Sequence, residues 1–322
     1  MMISVSAVAP RMVDSVNQRV RLSTTNAELE VAVVKPVFTA TAYSSYYSFY
    51  SKYHDTTIGK NITSDLGLLN TTLVDGWGWS NALGQFFNSQ SARDYGLVMG
   101  QNVTILTDVN VTQGALFDSS GSDRFDVVVL GFTEYVTAQQ YYEYKHFVAD
   151  GGRLILMDAT NFLAEVRYYP STNHLALVRG HGWGFDGKKV WRDVLDRWRG
   201  ENAIWVASTF CCYALRYDGA TVTGNYPISL LMRQKFGERV FTSYKGHEEN
   251  QVTNMTGTLI LARWVQLTPN QQTVVAAYLH RYVAGTVIHI GVMSSDVISS
   301  DKSVQFFLVS SILDAAVGAP RS

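Results

Sequence analysis

Residues 125–161, reading FDVVVLGFTEYVTAQQYYEYKHFVADGGRLILMDATN, constrain this chain more than any other stretch. A β-rich apolar run from Phe125 to Phe132 breaks at Thr133. A helical pattern follows from Thr137 to Asp150, Gly151-Gly152 stop it, and a second apolar run extends from Arg153 to Thr160. Thr137 has the side chain of a helix N-cap, and Tyr141, Tyr144, Lys145 and Val148 recur at helical spacing, giving one apolar, aromatic face. A connection of this length is too long for a hairpin and joins parallel strands. Parallel strands are buried on both sides, which accounts for VVVL and LILM without alternation. The expectation is an α/β chain with a mainly parallel sheet and helices on both faces. Ligands in such sheets sit beyond the carboxyl ends of the strands. That places Thr133, Glu134 and Tyr135, and then Asn161, Phe162 and Glu165, at the candidate cleft.

The same alternation runs through the chain. Glu30–Thr41 reads as a first strand broken at Pro36, and residues 102–109, 258–265 and 286–292 read as further strands. Helices are expected over Ser80–Leu97, Lys188–Arg199 and Ser303–Ala316. Another is expected over Pro269–Val283, with Thr268 as its cap and Gly285 at its end. Ala203–Ala214 and Arg239–Tyr244 read as weaker strands. Neither a repeat nor a Pro/Ser linker divides the 322 residues, so the reading is one α/β domain over 1–322 with an insertion at about 185–257. Tyr43, Tyr46, Tyr47 and Tyr50 form a helical stripe after the first strand, either packing or lining a phenol-rich pocket.

Charge excludes some function classes. A formal net charge of -1 with 16% charged residues gives no electrostatic case for nucleic acid or an anionic membrane. No apolar run is long enough to span a bilayer, and the leading MMISVSAVAPRMV is too short and too weakly apolar for a signal peptide. Cys211 and Cys212 are adjacent, so a disulfide framework within one chain is excluded apart from a vicinal bridge. Asn61, Asn70, Asn102, Asn110 and Asn254 each begin an N-x-T sequon, which points either to an exported, extracellular or cell-surface glycoprotein or to Thr-rich surface loops.

Two further groups combine donor side chains with turn chemistry. His181 lies in the glycine-rich GHGWGFDG, and His247 heads GHEEN beside Glu248 and Glu249. Each reads as an acid–base or metal candidate or as a solvated turn.

Ordered motifs carry a family resemblance. TATAYSSYYS from Thr39, Thr107-Asp108, LGFTEYVT from Leu130, ADGGRLILMDATNF from Ala149 and GTVIHIGVMSSDVISSD from Gly285 occur in the order and spacing of N,N-dimethylformamidase large-subunit-like domains. The chain resembles that family over about 60% of its length. The resemblance implies a flavodoxin-like, class I glutamine-amidotransferase-like fold and hydrolysis of an amide or related C–N bond. It implies a mononuclear iron (or zinc) held by phenolate and carboxylate oxygens, with Tyr43 and Glu134 matching as ligands and Tyr46 or Tyr47 as candidates for a second phenolate. Phe132 stands where the family has a histidine. No Gly-x-Cys-x-Gly elbow occurs, so Cys-dependent glutaminase chemistry is not expected. The catalytic set expected is Glu134, His181 and Glu165, and the metal set Tyr43, Glu134 and His247. Partners are a small-molecule substrate or further copies of the chain in a homo-oligomer. The alternative is a non-catalytic exported surface or self-assembling protein on the same fold.

Overall fold

The computed structural model describes residues 29–44, 71–158, 161–179, 197–208, 217–243, 252–266, 274–292 and 297–315. In chain order these form β1 (Val31–Lys35), α1 (Val37–Ala42), β2 (Thr71–Thr72), a 3-10 turn at Gly78–Ser80, α2 (Asn81–Phe87), α3 (Gln90–Asp94), β3 (Val103–Thr107) and α4 (Asp108–Thr112). There follow β4 (Val127–Leu130), β5 (Tyr135–Val136), α5 (Ala138–Asp150), β6 (Arg153–Leu156), β7 (Ala164–Tyr169), β8 (His174–Arg179) and α6 (Arg199–Trp205). The chain continues through β9 (Tyr217–Val222), α7 (Pro227–Phe236), β10 (Arg239–Val240), β11 (Thr258–Gln266), β12 (Val275–Tyr282), β13 (Gly285–Ile290) and α8 (Lys302–Leu313).

Nine strands form one sheet in the order β10-β9-β11-β12-β13-β6-β4-β1-β3, and β2-β8-β7-β5 form a second of four. The expected flavodoxin-like, mainly parallel sheet is corrected by this topology. The pairings β13/β6, β6/β4, β4/β1 and β1/β3 are parallel, but β13/β12, β12/β11, β11/β9 and β9/β10 are antiparallel, so the large sheet is mixed.

The physical reason lies in Val275–Tyr282, inside the segment read as a helix. It is a strand whose residues Val275 to His280 are all buried, so neither a period of two nor one of 3.6 marks it. A two-residue turn at Val283-Ala284 joins it to β13 through the Tyr282–Gly285 pair. Val283 takes φ 53° there, a strained value for a β-branched residue. Strands β9 and β10, from the stretch read as an insertion, continue the same sheet beyond β11.

Other boundaries move for local reasons. The first strand stops at Lys35, because Pro36 has no N–H for the ladder, and Val37–Ala42 turns into a helix with all six residues buried. Ser80–Leu97 contains two helices; Ser89 breaks the pattern by capping α3, its hydroxyl accepting from Ala92 N. Residues read as a strand from Ala203 begin inside α6. Thr137 does cap α5, accepting from Gln140 N at 3.0 Å.

Helices cover both sides of the large sheet. On one, Leu83, Phe86, Ile228, Met232, Phe307 and Leu308 close a core with Val31, Val129 and Ile288. On the other, Tyr141, Tyr144, Phe147 and Trp205 pack on Val34, Leu130 and Leu156. A third cluster sits between α1 and the small sheet, through Phe38, Ala42, Tyr135, Val166 and Leu175. Among the described residues no helix is long and apolar enough to cross a membrane.

Three sequon asparagines have structural duties. The Asn102 amide accepts from Val98 N at 2.8 Å and donates to Gly96 O at 2.9 Å. Asn110 completes a capping box with Thr107, and Asn254 Oδ1 accepts from Thr256 N at 3.0 Å. Asn61 and Asn70 lie outside the described residues, as do Cys211 and Cys212.

Candidate functional site

β1 and β4 are neighbours in parallel register, Val34 opposite Leu130, so their carboxyl ends open side by side. From one end α1 carries the chain to Tyr43, and from the other the loop Gly131–Glu134 leads into β5. The two meet. The phenol of Tyr43 donates to the Glu134 carboxylate and lies 2.9 Å from each of its oxygens. Tyr43 is half-buried and Glu134 only 1% exposed.

Five neighbours fix the loop that bears Glu134. Thr39 Oγ1 accepts from the backbone N–H of Glu134 at 3.0 Å and of Tyr135 at 3.1 Å. Ser80 Oγ accepts from Phe132 N at 2.7 Å. Asn161 Oδ1 accepts from Thr133 N at 3.1 Å. Glu134 O receives Leu163 N and Ala164 N at 3.0 and 3.1 Å, which ties the loop after β4 to the loop after β6. Gly131 permits this closeness, since a Cβ there would overlap the Ser80 side chain. Phe162, in the second loop, is fully buried at φ 57°, a strained conformation that the surrounding rings of Tyr141, Tyr144 and Trp205 hold in place.

The wall of the site is aromatic. Tyr43 lies 4.5 Å from Trp79, 5.6 Å from Phe132 and 5.9 Å from Tyr135, measured between ring centroids, and Trp79 lies 4.8 Å from Phe132. Trp79 is 47% exposed and forms the outer rim.

Two buried polar networks flank the pair. Asp108, just past β3, accepts from Phe38 N at 2.8 Å and from Gln140 Nε2, while Gln140 Nε2 also donates to Tyr144 Oη at 3.0 Å. Burial pushes the Asp108 carboxyl up to about 7, against the pull of those two donors. Past β6, the Asp158 carbonyl meets Asn161 Nδ2 and, at 2.7 Å, His289 Nε2. His289 Nδ1 lies 2.9 Å from Tyr278 Oη, and burial pushes this imidazole down to about 4.

The structure therefore brings Tyr43 and Glu134 together. The carboxylate of Glu165, on β7, pairs instead with Arg197, whose guanidinium lies 4.2 Å over the Trp198 ring. His181, His247, Tyr46 and Tyr47 lie outside the described residues. Among the described residues no group of three His, Cys, Asp or Glu could hold a metal ion. Thr39, Ser80 and Trp79 escaped the sequence reading. A threonine four residues before a site tyrosine in a helical run was the one available signal for Thr39, since positions i and i+4 share a helix face.

The donor chemistry of the pair suits a hard cation. Phenolate and carboxylate oxygens are donor types that favour hard cations over softer metals.

The family model of N,N-dimethylformamidase beta subunit-like C-terminal domains matches residues 10–284, and the chain belongs to this family. The family is related to amidohydrolases. No curated protein is significantly similar in sequence. Among solved structures, a GH42 beta-galactosidase from G. stearothermophilus has 12% identity and a TM-score of 0.39 over 83% of this chain and 28% of its own. A beta-galactosidase from Bacillus circulans has 10% identity and a TM-score of 0.44 over 89% of this chain and 31% of its own. A thua-like protein from Bacteroides uniformis has 7% identity and a TM-score of 0.44 over 92% of this chain and 94% of its own. The chain thus spans less than a third of either galactosidase, and at these scores the neighbours decide neither fold nor activity.

Proposed function

We propose that this N,N-dimethylformamidase beta subunit-like chain hydrolyses a small amide or related C–N bond at the Tyr43–Glu134 site, as the large-subunit-like domains it resembles would. The observation that carries the reading is the buried Glu134 carboxylate, both of whose oxygens face one phenol at 2.9 Å. Tyr43 and Glu134 would hold an iron ion, with Tyr46, Tyr47 or His247 as the candidates to complete its ligands. Bound there, the ion would supply Lewis acidity toward an amide carbonyl.

The chain's own groups have separate tasks. A carboxylate at this position can take a proton from water as that water attacks the amide carbon, and can return it to the departing amine nitrogen. Fixing the Glu134 backbone at both its N–H and its carbonyl keeps that carboxylate from relaxing toward solvent. The rings of Trp79, Phe132 and Tyr135 exclude water and offer an apolar wall to a small neutral substrate. His181 and Glu165 remain the further acid–base candidates, with Glu165 restrained by Arg197. In purified protein, Glu134→Gln should abolish both bound iron and amide hydrolysis, and an unchanged rate would overturn the reading.

A second reading is favoured by the ring packing. The ring centroids of Phe132, Trp79 and Tyr43 lie 4.5, 4.8 and 5.6 Å apart, as in a site closed by packing. On that reading the chain is a non-catalytic surface or self-assembling protein. Stoichiometric iron in natively produced protein favours the enzyme; an absence of iron together with a stable homo-oligomer favours the assembly protein.

A further inference from the structure

We propose that Thr39 is a positioning residue for the Tyr43–Glu134 site, one that sets where the Glu134 carboxylate lies by holding its backbone. The inference rests on the reading of that pair as a hard-cation site. Thr39 is 2% exposed and lies within α1, four residues before Tyr43, whose N–H donates to Thr39 O at 3.1 Å. The two side chains therefore emerge on one face of one helical turn. Tyr43 takes the carboxylate end of Glu134, while Thr39 Oγ1 accepts the N–H groups of Glu134 and Tyr135 at 3.0 and 3.1 Å.

A helical threonine ordinarily turns its hydroxyl back on the carbonyl four residues earlier. Thr41 does so, donating to Val37 O at 2.7 Å. Thr39 instead presents its oxygen to two consecutive amides of another loop. Buried amide hydrogens need an acceptor, and without Thr39 this loop would turn to seek others. Leu163 N and Ala164 N hold the carbonyl of the same residue, so the Glu134 peptide is clamped on both sides and its side chain leaves in a set direction. One short helix thus carries both the phenol and the part that aligns its carboxylate partner.

The test uses full-length, metal-free protein titrated with ferric iron alone, read by the visible phenolate-to-iron absorption band. Thr39→Val keeps the branched shape and removes the oxygen; it should weaken iron binding about ten- to a hundred-fold, the usual range for outer groups that orient metal ligands. Thr39→Ser restores the oxygen and should return affinity to the wild-type value. Thr41→Val, on the same helix, should leave the band in place. Tyr43→Phe and Glu134→Gln should each lose it, and a band retained in both would overturn the site and Thr39 with it. A band lost in those two but of wild-type affinity in Thr39→Val would overturn Thr39 alone. If the valine variant fails to fold, the serine variant decides, since loss of affinity despite a retained hydroxyl overturns the proposal.

Discussion

Gln140 donates from Nε2 to the buried carboxyl of Asp108, while its own Oε1 finds no partner among the described residues. The network is therefore built around a carboxyl group on which ionisation is costly. Burial raises the Asp108 pKa from 3.8 to about 7. A carboxyl whose folded pKa lies above its unfolded value contributes stability that is fully present below about pH 4 and is lost as pH rises toward 7. Asp108→Asn removes that titration, and Gln140 can rotate its amide to present Oε1 to the new NH2 group. Urea unfolding at pH 5 and pH 8 should show the asparagine variant gaining relative to wild type by a few kcal/mol at the higher pH. Parallel pH profiles for the two proteins would refute the assignment.

His289 produces the opposite slope. Its pKa falls to about 4 because burial disfavours the imidazolium, although the Asp158 carbonyl at Nε2 favours it. A depressed folded pKa contributes stability that is present above about pH 6.5 and lost as pH falls toward 4. His289→Gln should be less stable at every pH, because it disturbs the Tyr278 and Asp158 contacts. The difference from wild type should nevertheless shrink between pH 6.5 and 4. Proton NMR of the wild-type ring supplies a direct check: its resonances should not titrate near pH 6.5.

What could be read from the sequence was whatever local chemistry decides. VVVL and LILM, short apolar runs that stop at turn residues, and Thr137 with Gly151-Gly152, which bound a helix, carry their signal in their own residues. Val275–Tyr282 does not. Its strand state depends on β11 and β13 flanking it, and apolar residues buried on every side look alike in a helix and a strand. That segment turned an expected parallel sheet into a mixed one. At the site, Tyr43 and Glu134 were visible because motif order placed each just past a strand. Thr39 and Ser80 were not, because their roles lie in accepting amides from a loop more than 50 residues away in sequence.

The junction of α5, β6 and β13 depends on a glycine. A Cβ on Gly285 would overlap the carbonyl oxygens of Val148 and Gly152, and both belong to backbone that cannot step aside. Gly285 also closes the hairpin with Tyr282. Gly285→Ala should cost about 1–3 kcal/mol, the usual range for overpacking a filled site. Gly200→Ala, where an added Cβ meets nothing within 4 Å, is the control. Thermal melts should separate the two clearly, and equal melting temperatures would show that the strand end can shift.

The contact between Tyr43 and Glu134 can be measured without metal or substrate. Tyr43→Phe removes a phenol that faces both oxygens of a carboxylate with 1% exposure. Hydrogen bonds to charged groups contribute about 1.5–3 kcal/mol, and a buried acceptor that loses a donor is left less well solvated. Glu134→Gln keeps the shape and removes the charge, so it should weaken the bond and leave part of it. Glu134→Leu removes both acceptors. In a double-mutant cycle of Tyr43→Phe with Glu134→Leu, the single changes should not add, and the coupling should exceed about 1 kcal/mol. Ring packing gives the cycle its control. Tyr43→Phe preserves the contacts with Trp79 and Phe132, so any coupling belongs to the hydroxyl. Strict additivity would mean that the two groups do not bond in solution, and it would remove the geometric basis for placing a cation between them.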